Sequence, residues 1–230
     1  IYDGYHFGLI FSNGIDLNNG KIPYKEIFIE YGYLTTLIHS IILQIFGNEV
    51  LYLQFYTSIV YSITLILISI IVKQYTNEYL ALLSIVILIL IYPIPLKPWP
   101  IYNTFFFYTL SLIFFLKKNF YNKFISGLFL SLSYLSFTTV YNFIVFPLVG
   151  TIIFFYILFY RKDKSKFIEL SYLLSGLILP ILIFIFYLIN LKILDNWILY
   201  QKIPILFALE IADKNVFEQI IFYLKEISIN

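Results

Sequence analysis

Long apolar runs dominate this sequence and leave few folds open to it. Six of them, at about 50–72, 79–96, 101–116, 124–139, 140–160 and 167–191, read as membrane crossings. At ~1.5 Å of rise per residue, roughly 20 apolar residues in a helix cross a hydrocarbon core ~30 Å thick. Backbone N–H and C=O groups in lipid must be paired within the segment itself, so the expected fold is all-α, a polytopic transmembrane helical bundle. Composition agrees: 61% of the 230 residues are hydrophobic and only 12% charged, with a mean hydropathy of +0.88. A soluble domain carries about 25% charged residues. The net charge of +2, with no basic stripe, argues against nucleic acid as a partner. The absence of cysteine excludes disulfides, thiolate metal sites and cysteine nucleophiles.

The runs differ in how comfortably they span. The third is short and needs flanking residues or local bilayer thinning, and Pro93 and Pro95 lie near the end of the second. The stretch from Phe124 to Tyr160 is too long for one crossing and is divided at 136–142, where Thr138, Thr139 and Asn142 interrupt the apolar pattern. Basic residues set the orientation: the loops 73–78, 117–123 and 161–166 concentrate Lys and Arg, which marks them as cytoplasmic. Six crossings then start and finish on the non-cytoplasmic side.

Three parts follow. Residues 1–48 form a first extracytoplasmic loop, polar and glycine-containing over 1–32, followed by an interfacial helix over Tyr33–Phe46, which is too short to cross. Residues 49–191 hold the six-helix region. Residues 192–230 are an extracytoplasmic segment or the approach to a further crossing, with Phe217, Ile220, Ile221, Leu224 and Ile227 at helical spacing. The chain opens Ile1-Tyr2-Asp3 and contains no methionine, so we expect a segment of a longer protein. No phosphate-binding P-loop, dinucleotide fingerprint or zincin motif occurs.

The chemistry-bearing residues gather in the first loop: Asp3, His6, Asp16, Lys21, Lys25, Glu26 and Glu30. An acid at a membrane boundary can take a proton from an incoming hydroxyl or help hold a divalent cation. Lysines at the same depth can meet a lipid-linked phosphate as compact charges. Taken singly, each of these charges is more simply a solvated group of an exposed loop. His39 is a polar group within an apolar run, where such residues face cavities or partners, and a hydrogen-bonded structural histidine is an equal reading. Trp99 and Trp197 sit at predicted boundaries as aromatic belt anchors, and Trp99, between Pro98 and Pro100, is also placed to stack on a sugar. Asn103 is expected to cap the third crossing.

The order of four elements in this region resembles the start of the GT-C superfamily of membrane glycosyltransferases, which includes the protein O-mannosyltransferases and the lipid A aminoarabinose transferases. They are Asp3-Gly4-Tyr5-His6, Asn19-Gly20-Lys21-Ile22-Pro23-Tyr24-Lys25-Glu26, Tyr31-Gly32-Tyr33-Leu34 and Ile45-Phe46-Gly47. The likeness covers about residues 1–75 at motif level, and beyond them only the hydropathy rhythm and a proline-rich loop, Pro93–Pro100, match. It implies transfer of a sugar from a polyprenyl-phosphate donor to a lipid, glycan or protein acceptor, outside a bacterial inner membrane. Asp3 matches the superfamily's first-loop acid, the implied catalytic residue, and Glu26 the acid that follows the Pro-Tyr pair. Lys21 and Lys25 become contacts for the donor phosphate, with His6, Tyr24, His39 and Trp99 as further substrate-binding candidates. Two departures are plain: Gly4 follows Asp3 where the O-mannosyltransferases have a second acid, and the helix that should precede Asp3 is missing. No cofactor is required by the resemblance, and GT-C families differ in their use of a divalent metal.

Rival readings come from other classes. A transporter or flippase for a lipid-linked or polar solute would place charges or broken helices near the bilayer midplane, where this chain has almost none. A scaffold would make no demand on Asp3, and a polysaccharide polymerase would call for an arginine-rich outer loop, whereas Arg161 is the only arginine.

Overall fold

The structure, a computed structural model, describes residues 4–29, 31–91, 97–117, 119–138 and 164–201. Among these residues helices are joined by turns and loops and there is no strand; the single bridge, Pro23 to Ile27, closes a turn. The helices are α1 (Gly4–Asn18), α2 (Tyr33–Phe46), α3 (Val50–Tyr75), α4 (Glu78–Ile91), α5 (Pro100–Phe115), α6 (Phe120–Ser136) and α7 (Lys164–Asn190). A short α8 follows over 194–201.

The first half of the expected 1–32 loop is a helix, which corrects the sequence reading. Gly8 and Gly14 lie inside it and argue locally against helix. Packing outweighs that cost. α2 approaches so closely at Gly14 that an added Cβ would lie 2.9 Å from Leu43 Cδ1 and 3.5 Å from the Ser40 backbone nitrogen. Beside it, Asn18 Nδ2 donates to the Ser40 carbonyl (2.9 Å) and Ser40 Oγ donates to Asn18 Oδ1 (2.6 Å). α2 itself occupies the expected range.

Two helices are long and apolar enough to cross a membrane, α3 and the Phe167–Asn190 part of α7. Only 22% and 17% of their most apolar stretches are buried. A soluble core helix of that apolarity would be mostly covered. Along α3, Leu51, Phe55, Ile59, Ile63, Ile66 and Ile70 form an exposed stripe at three- and four-residue spacing, an apolar face turned outward. α4, α5 and α6 overlie the expected crossings 79–96, 101–116 and 124–139, but have 14, 16 and 17 residues. At ~1.5 Å per residue these described stretches are about 21–26 Å long, against a hydrocarbon core ~30 Å thick, and residues 92–96 of the expected second crossing lie outside the described residues. The expected crossing 140–160 and the amphipathic stretch 217–227 lie outside the described residues.

Side-chain contacts fix the helix directions. Ser111 on α5 and Ser126 on α6 bond each other's carbonyls (2.9 and 2.8 Å), and Ser133 Oγ donates to the Thr104 carbonyl (2.8 Å), so α5 and α6 are antiparallel. α6 and α7 run parallel: Lys123 meets Glu169 at 4.0 Å, and Tyr134 and Leu135 cluster with Phe184 and Leu188. The end of α6 and the start of α7 therefore lie at opposite ends of the helical set. α2, the starts of α3 and α5, and the ends of α6 and α7 meet at one end, here the loop end. The Lys73–Glu78 and Lys123–Glu169 pairs lie toward the other.

Candidate functional site

The segment from Asn19 to Gly32 packs onto the loop end and is held in shape by its own polar groups. Asp16 at the close of α1 pairs with Lys21 at 2.7 Å, across a turn in which Gly20 takes φ +80°. The Glu26 carboxylate accepts the Ile22 N–H at 2.7 Å, and the Tyr24 N–H donates to the Ile27 carbonyl at 3.1 Å. Within that turn Tyr24 takes φ +61°, a left-handed conformation costly for a residue with a side chain. The strain is offset by burial: Tyr24 is 1% exposed and packs with Ile27, Ile29 and the α6–α7 residues Tyr134, Leu135, Phe184 and Leu188. Its ring meets Tyr200 of α8 edge-on at 5.6 Å. Nearby, Tyr33 OH donates to Tyr187 OH at 2.9 Å.

The sequence-derived candidates separate into three groups. Lys21, Lys25 and Glu26 are exposed on the turn. Tyr24 is sealed beneath it with its hydroxyl unpartnered, and burial pushes that phenol's pKa up. His39 is 1% exposed, on the face of α2 turned to the site. Trp99 precedes α5, with its ring 5.7 Å from Tyr31. Trp197 packs edge-on against Phe184 at 5.9 Å, a partly buried neighbour of the aromatic cluster. Asp3 and Glu30 lie outside the described residues, and His6 falls in the first turn of α1 with its side chain outside them. Among the described residues no three His, Asp or Glu side chains gather as metal ligands.

Asn103 is a second correction. Pro100 takes the first position of α5 after Trp99, which leaves Asn103 a turn inside, buried and facing other helices. It accepts the Tyr56 hydroxyl of α3 at 2.7 Å and donates through Nδ2 to Thr35 Oγ1 of α2 at 3.2 Å. Thr35 donates onward to the Ser136 carbonyl of α6 at 3.0 Å, so one chain of hydrogen bonds joins four helices. Thr138 Oγ1 donates to the Tyr31 carbonyl at 2.8 Å, and Gly32 sits so close to the Ser136 carbonyl that no Cβ fits. The only sequence signal for this network was a polar residue interrupting an apolar run.

Between α1, the Tyr31–Gly32 segment, α2 and Pro100 lies a notch with room for about one water molecule. Its polar lining comes from Asn13, Thr35, Thr36 and His39, and none of its described lining residues is charged. Asn13 Nδ2 donates to the Phe28 carbonyl at 2.7 Å, and Thr36 Oγ1 to the Gly32 carbonyl at 3.4 Å. His39 Nδ1 has no partner. Desolvation lowers the His39 pKa to about 4, so the imidazole is neutral at physiological pH. Among the described residues the loop end thus presents charged groups on its turn and, between α1 and α2, a recess without charged lining.

No protein-family model, no curated protein and no solved structure matches the chain.

Proposed function

We propose that this chain belongs to a membrane glycosyltransferase of the GT-C kind, moving a sugar from a polyprenyl-phosphate donor to an acceptor on the non-cytoplasmic side. The observation that carries the reading is the loop end: a polar turn exposing Lys21, Lys25 and Glu26, docked by Tyr24 and Ile27 on helices whose sides are apolar and open. A donor with a charged head and a hydrocarbon tail fits that division between end and sides. The six-crossing topology and a bacterial inner membrane location belong to this proposal.

The reaction is a displacement at the anomeric carbon. An acceptor oxygen forms the new C–O bond while the bond to phosphate breaks, and the polyprenyl phosphate leaves with the electron pair. Asp3 takes the acceptor proton, and Lys21 and Lys25 lie on the loop that would meet the departing phosphate. Glu26 spends one carboxylate oxygen on the turn, so its first role is to shape the loop.

A transporter finds less support, because the charged residues of the described helices lie within six residues of a helix end. Asp3→Asn in the full chain, held in lipid and assayed with labelled polyprenyl-phosphate sugars, is expected to lower transfer at least 100-fold with folding intact. Equal transfer by the folded variant would remove Asp3 from the reaction. Movement of the lipid-linked sugar across a vesicle membrane, with no new glycosidic bond, would replace the transferase by a flippase.

A further inference from the structure

Among the buried polar groups of the loop end without a partner, His39 is the one that lines the notch, and its surroundings limit what can meet it. His39 is 1% exposed, its Nδ1 has no partner, and it lines the notch with Asn13, Thr35 and Thr36. Thr35 already donates to Ser136 and accepts from Asn103, Thr36 donates to Gly32, and the Asn13 amide donates to Phe28. The threonine and asparagine donors are thus largely committed, and acceptor capacity remains at Asn13 Oδ1 and, in the tautomer with its proton on Nε2, at His39 Nδ1. A phosphate or carboxylate would find no cationic partner among the described lining residues, and a metal ion no carboxylate. The recess accommodates about one oxygen atom and its hydrogens.

We propose that the His39 notch is a recognition site for a single neutral hydroxyl group, which donates its proton in a hydrogen bond to the imidazole and is held between α1 and α2. A buried acceptor left without a donor destabilises the fold, and a hydroxyl donor relieves that penalty. Two sources share this chemistry, a sugar hydroxyl and water. The sugar source rests on the transferase reading. The hydroxyl assignment does not, so a chain that transfers no sugar still reports on it.

The sequence offers a clean test, because it contains only two histidines. The full chain, labelled with 15N-histidine and placed in lipid nanodiscs, gives two imidazole signal sets, assigned with His39→Gln and His6→Gln. His39 is expected to stay neutral from pH 8 to pH 5, with its proton on Nε2 and Nδ1 shifted as a hydrogen-bond acceptor. It is expected to ignore inorganic phosphate and magnesium. A saturable shift with one of glucose, mannose, galactose or N-acetylglucosamine identifies a sugar hydroxyl. No sugar response, together with magnetisation transfer from solvent, identifies water. A proton on Nδ1, an Nδ1 with no hydrogen bond, or a shift caused by phosphate or magnesium would overturn the assignment. So would a His39 that titrates near pH 6.5, and loss of that titration in Glu30→Gln would show a carboxylate in the notch.

Discussion

Along the α6–α7 seam two glycines bring backbone against backbone, whereas at the loop end a chain of side-chain hydrogen bonds joins the helices. Gly127 faces the Leu173 carbonyl and Gly176 the Phe124 carbonyl, each so near that no Cβ could be added without moving main chain. At the loop end the main chain also comes close once, Gly32 against the Ser136 carbonyl, but there Tyr56, Asn103 and Thr35 add a chain of side-chain hydrogen bonds that links α3, α5 and α2 to the same carbonyl of α6. The difference follows from surroundings. On the proposed membrane reading the seam lies among lipid tails, where an apolar side chain would gain little by choosing a helix over the bilayer and small residues with close packing would make the seam. Where the chain meets polar loops, hydrogen bonds select the partner and carry direction.

Gly127→Leu tests the seam most severely. We expect a loss of about 3 kcal/mol or more, because the obstacle is main chain and not a flexible side chain; thermal unfolding in nanodiscs would measure it. An unchanged Tm would mean that α6 and α7 are not in backbone contact. Asn103→Leu tests the loop end and should cost less, about 1–2 kcal/mol, by stranding the Tyr56 hydroxyl and one lone pair of Thr35. Hydrogen exchange should speed up over residues 31–36 while the seam stays protected. Equal loosening of both regions would erase the distinction drawn here.

The smallest effect belongs to the opposite end. Lys73 and Glu78 meet at 2.5 Å, but their side chains are 59% and 73% exposed. The Lys73 ammonium holds the Glu78 carboxyl below its usual pKa, so any stabilisation would be present at neutral pH and lost on acidification through the folded value. Water screens such a pair almost completely. Lys73→Ala is expected to leave Tm unchanged, and to leave the pH dependence of Tm parallel to that of the parent between pH 7 and pH 3.

The positions of several helices were legible in the sequence, the contrast between seam and loop end was not, and the failures share a cause. The runs that became α2 and α3 were readable because hydropathy and length are local sums. α1 was not, because its glycines and polar residues read as loop until Leu43 and Ser40 of α2 pack against Gly14. Asn103 was assigned a capping role from its place after a proline-rich loop, yet Pro100 starts the helix early enough to turn the amide toward α2 and α3. Tyr24 lies in a motif that invited a substrate-binding role, and its positive φ and burial became visible only with α6, α7 and α8 beneath it.

The sequence by itself determined that the chain is helical, apolar along its sides and charged mainly at its ends, since each property depends on neighbours within one or two turns. Tertiary structure alone decided that α6 and α7 run parallel, that four helices meet through Asn103 and Thr35, and that a neutral histidine faces a water-sized recess. Those outcomes depend on which distant segments approach one another, and a run of isoleucine and phenylalanine is equally content against any apolar neighbour.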